Sequence, residues 1–375
     1  MAFIKHIPGS RPVETPGPHP KRKGIGVIGL HEGRTLLVSL NRCSKAYAVA
    51  GCDLDEAKLA ASREELPELF FTQDYNAMLA RPEVDIVAIY TPDHLHATHI
   101  AAAFDAGKDV ICTKPLVNSI EDAKLVLAAA KRTGRRLLVG QSTRFFEPFR
   151  RQRSAFERDE LGTLELADAH YIHRMDWYYD KSPWAATKTD WVFLGMSHPL
   201  DLLWWYLGPI REVHAFASTS ALGRERSIAG PDIYIVNVRS ESGISGRAMG
   251  HYGVHELPAA RNCIELMLYG SRSTSLAQYH DMKYIHSAAD GTEVTEDHLY
   301  AGRHYYFNSE VHGMHYGEFA NYAEYFASGL IDGTPCSPEL DEGLSTFAVM
   351  EAVRRSARSG EPVEVPPILG EIGLD

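Results

Sequence analysis

Across residues 23–140, short apolar runs alternate with amphipathic stretches at a nearly constant interval. This alternation restricts the fold more than any other feature of the chain. Residues 24–30, 47–52, 84–90, 109–113 and 136–140 read as strands. Residues 34–42, 55–65, 96–106 and 120–132 read as helices, the last two stopped by Gly107 and Gly134. Strands separated by helices of this length form crossover units on a parallel sheet, although the alternation leaves the strand order open.

Beyond Phe149 the pattern changes. Runs rich in β-branched and aromatic residues at 164–171, 213–219, 234–239 and 264–269 are joined by turn residues. They predict a mostly antiparallel sheet with a few helices, among them 318–328 and 344–356. The fold class is therefore α/β, with an N-terminal parallel layer followed by an α+β domain built on a large open sheet. Pro148 marks the boundary between a domain at 22–147 and a second at 148–375. Residues 1–21, rich in Pro and Gly, are read as an arm: either a disordered leader or a strap packing on a neighbouring subunit.

Charge and cysteine usage narrow the setting. A net charge of −11 without a basic stripe argues against a nucleic-acid partner. No run approaches ~18 uninterrupted apolar residues, and the first 23 residues carry no apolar core of a secretory signal, so no membrane partner is expected. The five cysteines are widely spaced with no C-x-x-C, which fits reduced thiols in a cytoplasmic protein.

A literal G-x-G-x-x-G match (Gly24, Gly26, Gly29) falls inside the first strand, whereas a phosphate-binding turn must follow a strand and open a helix. The segment in that place is Gly29-Leu30-His31-Glu32-Gly33-Arg34. Gly29 suits the tight turn and Gly33 a close helix–sheet approach, so that helix N–H groups face an anionic pyrophosphate. His31 stands where a second glycine usually admits that group. Glu32 adds negative charge there, and Arg34 is expected to offset part of it. Asp53 ends the second strand, where a carboxylate accepts from a ribose 2′-hydroxyl and repels a 2′-phosphate. No arginine follows it, so NAD is expected over NADP. These features describe a Rossmann dinucleotide-binding domain.

Further motifs stand at the strand ends: Tyr90-Thr91-Pro92-Asp93-His94-Leu95-His96, Thr113-Lys114-Pro115 and Gln141-Ser142-Thr143-Arg144-Phe145, then Gly195-Met196-Ser197-His198-Pro199-Leu200-Asp201 downstream. In this order and spacing they resemble the glucose–fructose oxidoreductase / inositol dehydrogenase / MocA family, over nearly the whole chain from about Lys23. The resemblance implies NAD(P)-dependent chemistry on sugars, cyclitols or their derivatives. It also implies a second domain whose open sheet covers the active site and often makes subunit contacts, hence a homo-oligomer (dimer or tetramer). Family catalysis centres on the lysine of a Glu-Lys-Pro motif, matched by Lys114, and the histidine of an Asp-x-Gly-x-His pattern, matched by His198. Thr91, Pro92, His96, Thr113, Lys114, Gln141 and Arg144 join the turn residues around the cofactor.

The chemistry suits these residue types. Oxidising a secondary alcohol requires a group that takes the hydroxyl proton. Histidine titrates near neutrality, and lysine does so when its pKa is pushed down; Lys114 otherwise orients the hydroxyl and stabilises alkoxide charge. Two positions depart from the family pattern: Thr113 replaces the glutamate, and Leu194 stands where the aspartate belongs. Asp190 or Asp176 are the candidate replacements. Asp201, one helical turn after His198, either orients that histidine or is a buried charge paired with an arginine. Arg144, Phe145, His173, Asp176, Trp177, Tyr178 and Trp184 make a candidate substrate wall, since aromatic faces stack on sugar C–H faces and polar tips bind hydroxyls; such a cluster also suits a domain interface. The 18 histidines include pairs at 94/96, 251/255 and 312/315, but none has metalloprotease or zinc spacing and no metal is expected.

The reading is an NAD-dependent oxidoreductase acting on a secondary hydroxyl of a sugar, glycoside or cyclitol, with sugar C3 a plausible position. Two alternatives stay open: a glycosidase or lyase working through a transient keto-sugar, and a non-catalytic nucleotide-binding subunit.

Overall fold

The computed structural model describes residues 17–256, 263–288, 290–299 and 317–374. Most of the arm lies outside them. Its described end runs along the first sheet, where the His19 N–H donates to the Ser44 carbonyl and Arg22 lies over the Tyr47 ring.

Six parallel strands form the N-terminal layer: β1 (Lys23–Ile28), β2 (Ala46–Cys52), β3 (Phe70–Thr72), β4 (Ile86–Ile89), β5 (Asp109–Thr113) and β6 (Leu137–Gly140). Their order is β3-β2-β1-β4-β5-β6, the doubly wound arrangement that reverses direction between β1 and β4. The central strands carry apolar residues on both faces because helices cover both. Ser119 caps one of these helices, Ile120–Thr133, by accepting from the Asp122 N–H, and Gly134 closes it at φ 64°. The sequence pattern missed β3 and the five-residue helix Tyr75–Leu79, which are too short to show a period.

The second layer is a nine-stranded sheet of β7 (Leu164–Ile172), β8 (Ile210–Ser218), β9 (Ile233–Ser240), β10 (Ser245–His251), β11 (Ile264–Gly270), β12 (Ser273–Tyr279), β13 (Lys283–Ala288), β14 (Glu293–Asp297) and β15 (Val363–Glu364). Its order is β14-β13-β12-β11-β7-β10-β9-β8-β15. Among the described residues of this sheet only β7 and β10 pair in parallel, so the α/β plus open antiparallel-sheet expectation holds. One face packs on helices Glu147–Glu157, Ser197–Leu207 and Leu340–Ser359. The other face exposes Phe216 (61%), Ile235 (46%) and Leu166 (39%).

The chain's end ties the layers together. Helix Glu318–Asp332 buries Phe319, Tyr322 and Phe326 against the first sheet. Among the described residues, no helix is long and apolar enough to cross a membrane.

Candidate active site

The site forms where the strand order reverses. Gly29 leaves β1 at φ 90°, and a Cβ there would lie 2.6 Å from the Tyr90 carbonyl oxygen; a Cβ on Gly33 would meet Val27 Cγ1 at 2.5 Å. Only hydrogen fits at either position, so the turn and its helix press close against the sheet. Asp53 closes the turn from β2. Its Oδ2 accepts from the Leu30 N–H at 2.8 Å and its Oδ1 from the Asp55 N–H at 2.9 Å. A carboxylate has about four acceptor positions, so ribose hydroxyls still find acceptors there. The turn's shape and this carboxylate fit a dinucleotide.

The charge of Glu32 is balanced differently from the expectation. Arg34 turns away to Glu65, Nε to Oε2 at 2.5 Å. The cation on Glu32 is Lys181 of the second domain, at 2.9 Å, with a side chain only 10% exposed. Lys181 also lies 5.6 Å above the Trp177 ring. This contact bridges the two layers beside the glycine turn.

Lys114 leaves the end of β5, beside the turn that follows β4. His96 ties these two turns together, its Nδ1 and Nε2 each 2.8 Å from the carbonyl oxygens of Pro115 and Thr91. Thr113 turns its hydroxyl back onto the Ile89 carbonyl at 3.0 Å and so does not stand in for the missing glutamate. Lys114 Nζ donates to the Leu194 carbonyl oxygen at 2.7 Å. Where the family pattern places an aspartate side chain, this chain offers the backbone of the same residue. Burial pushes the Lys114 ammonium down to about 8, against the opposing pull of Glu32 and Asp93. His198 is buried (6% exposed) at the start of helix Ser197–Leu207, with its ring edge-to-face on Tyr171 at 5.3 Å between centroids. The short segment Leu194–His198 thus joins the ammonium to the imidazole.

Several candidate residues do other work. Asp201 gives both carboxylate oxygens to Arg144, at 2.8 Å each, and therefore does not orient His198. Arg144 is 3% exposed and also reaches Glu342 at 2.8 Å and Ser337 at 3.0 Å. It is a clamp between the layers rather than a ligand group. Phe145 packs against Tyr322 and Tyr325, in the core and not on a substrate wall. Asp190 caps the turn Trp191–Leu194 through the Val192 N–H at 3.0 Å and accepts from the Tyr234 hydroxyl at 2.6 Å. Asp176 pairs with Arg174 at 2.7 Å. Neither carboxylate replaces the one lost at Leu194.

The remaining wall residues stay together. Trp177, Tyr178 and Trp184 form a chain of edge-to-face rings, and His94 from the β4 turn meets Trp184 at 5.9 Å between centroids. His173 sits on Trp177 and is held by the carboxylate of Glu256. Among the described residues no group of three or more His, Cys, Asp or Glu is placed to hold a metal; the 312/315 pair lies outside them.

Residues 23–141 match the family model for an NAD-binding Rossmann fold of an oxidoreductase family, and residues 153–365 match the model for that family's C-terminal alpha/beta domain. The chain belongs to the Gfo/Idh/MocA oxidoreductase family. Inositol 2-dehydrogenase 1 of Saccharopolyspora erythraea is 25% identical over 354 residues, covering 91% of this oxidoreductase and 94% of the relative. A 1-carboxy-3-chloro-3,4-dihydroxycyclohexa-1,5-diene dehydrogenase of Comamonas testosteroni is 29% identical over 184 residues; this chain spans 46% of that relative's length. The structure of levoglucosan dehydrogenase in complex with NADH and levoglucosan superposes with a TM-score of 0.79 over 92% of this chain and 99% of the other, at 20% identity, a likeness of fold. This Gfo/Idh/MocA member is an oxidoreductase with an NAD-binding Rossmann domain.

Sequence reasoning passed over Lys181, Tyr171 and the Leu194 carbonyl. The first two are an ordinary lysine and tyrosine until the layers come together. A backbone carbonyl carries no sequence signal at all.

Proposed function

We propose that this oxidoreductase is an NAD-dependent dehydrogenase that oxidises, or in reverse reduces, a secondary hydroxyl of a sugar, glycoside or cyclitol. The observation that carries this reading is Lys114: a part-buried amine at a strand end beside the dinucleotide turn, donating at 2.7 Å to the Leu194 carbonyl of the segment that leads into His198, with burial pushing its ammonium down to about 8. The relatives named for inositol and levoglucosan support the substrate class. Gly29, Gly33 and Asp53 would hold the dinucleotide, whose nicotinamide supplies the hydride acceptor when bound. Lys114 and His198 flank the reacting oxygen. The neutral amine takes the hydroxyl proton in oxidation, and the ammonium returns it in reduction. Trp177, Tyr178 and Trp184 pack the ring's C–H faces. Sugar C3 is the candidate position, on the strength of the family resemblance.

A panel of sugars, glycosides and inositols with NAD+, followed at the NADH absorbance, tests this. At least one substrate should give steady NADH accumulation. Since the base must be neutral, kcat/KM for oxidation should rise with pH through about 8 and level off above it, and the reduction rate should fall over the same interval. Cleavage of glycosides without NADH accumulation would mean the lyase reading instead, and failure to bind NAD+ a non-catalytic subunit.

We also infer a homo-oligomer joined through the open face of the nine-stranded sheet. Phe216, Ile235 and Leu166 project from that face beside polar neighbours, as on surfaces that pair with another chain. Light scattering should give a dimer or tetramer, and Phe216→Glu with Ile235→Glu should lower the mass; a monomeric wild type would contradict this. All five cysteines are free thiols, which supports a reducing, cytoplasmic setting.

A further inference from the structure

Proton transfer charges Lys114. When a substrate hydroxyl gives up its proton, the part-buried neutral amine becomes an ammonium at the cleft wall, and such a charge is costly without a counter-ion nearby. The two carboxylates that the family pattern offers are absent here: Thr113 bonds back to its own sheet, and Leu194 contributes only a carbonyl. Two other carboxylates act on Lys114, those of Glu32 and Asp93. Glu32 is already engaged by the Lys181 ammonium.

Asp93 lies in the turn after β4, which His96 fastens to the Lys114 turn. Its side chain is 1% exposed. Thr189 of the second domain donates its hydroxyl to Oδ2, which fixes the carboxylate's orientation across the domain boundary. Oδ1 is fully buried and has no hydrogen-bond partner among the described residues. The His94 ring lies nearby, with Nδ1 3.8 Å from Oδ1 and beyond hydrogen-bond reach. A buried carboxylate oxygen left without a donor is unusual in a folded protein, and the carboxylate that carries it acts electrostatically on Lys114 from the turn that His96 fastens to the Lys114 turn.

We propose that Asp93 is a positioning residue that holds and balances the Lys114 ammonium formed during turnover, in the role of the carboxylates missing at positions 113 and 194. The proposal rests on the dehydrogenase reading. The charged and titratable groups around the pair are Glu32 with Lys181 from the glycine turn and the second domain, His94 and His96 from the β4 turn, Tyr178 of the second domain, on which Glu32 and Asp93 both act, and His198, four residues beyond the Leu194 carbonyl that Lys114 meets. Only Asp93 combines negative charge, full burial and an unsatisfied oxygen.

The test is Asp93→Asn, which keeps the shape and can still accept from Thr189 but removes the charge. An opposite charge within a few ångströms raises an amine's pKa by about 1–3 units. The midpoint of the pH profile for oxidation should therefore move to lower pH by about one unit or more, with kcat reduced and KM little changed. Asp93→Glu should restore the wild-type midpoint. The same shift should appear without turnover, in the pH dependence of Lys114 acylation by a small anhydride, read by mass spectrometry on the resting protein. This second readout separates the two readings: a shifted acylation midpoint in a protein with no dehydrogenase activity would sink the proposed function and keep the pairing. A folded Asp93→Asn protein with an unchanged midpoint overturns the proposal. Should that variant be insoluble, Asp93→Ser carries the same expectation.

Discussion

Lys114→Ala lowers kcat by a factor on the order of 10²–10⁴, the usual worth of a general acid–base group, while leaving the melting temperature close to wild type. The fold does not depend on the ammonium. Lys114 makes one hydrogen bond, to the Leu194 carbonyl, and that carbonyl still receives the Ser197 hydroxyl at 3.3 Å. Its apolar stem is lost from the cleft wall rather than from either core. Lys114→Arg should not rescue the rate, because a guanidinium stays charged far above neutrality and has no lone pair to take a proton. NAD+ binding by calorimetry should be nearly unaffected in both variants, since Gly29, Gly33 and Asp53 shape that end of the site. Near-wild-type turnover in Lys114→Ala would remove the amine from the chemistry.

The second large effect is on stability. Asp201→Ala should destabilise the protein by roughly 3–5 kcal/mol in denaturant titration, the range for breaking one partner out of a buried ion pair. Arg144 is 2% exposed at its side chain and Asp201 1%, so water cannot replace the lost partner. Glu342 remains on one guanidinium nitrogen but is itself 25% exposed, and Thr346 loses its acceptor at 3.4 Å. The midpoint of the activity–pH profile should not move, because Asp201 touches Arg144 rather than His198. Replacing both members, Arg144→Met with Asp201→Leu, should recover much of the loss, as no fully buried charge is then left unpaired and the part-exposed Glu342 keeps the Ser337 hydroxyl. A shifted pH midpoint with unchanged stability would return Asp201 to the role of orienting His198.

These two residues show what the sequence discloses and what it withholds. The alternation of strands and helices across residues 23–140 is a local signal, and it sufficed for the parallel layer and for the positions of Gly29, Asp53 and Lys114. The strand order is not local, and neither is β3, whose three residues are set by pairing with β2. Partners across the cleft are equally invisible: Arg144 meets Asp201 from 57 residues away, Lys114 meets Leu194 from 80, and Lys181 meets Glu32 from 149. Asp201 was therefore readable as either a buried ion pair or a histidine orienter, and only packing decided. Arg34 illustrates the opposite case, where nearness in sequence to Glu32 suggested a pairing that the fold gives to Glu65 instead. The motifs at the strand ends were legible because the doubly wound topology gathers every carboxyl strand end at one edge, so that residues far apart in sequence share a cleft.

The most direct test is a crystal structure of the protein with NAD+ bound. The dinucleotide should pass over Gly29 and Gly33 with its adenosine ribose on Asp53, and its nicotinamide ring should face Lys114 and His198. A dinucleotide seated elsewhere, or one whose nicotinamide points away from both side chains, would contradict the account.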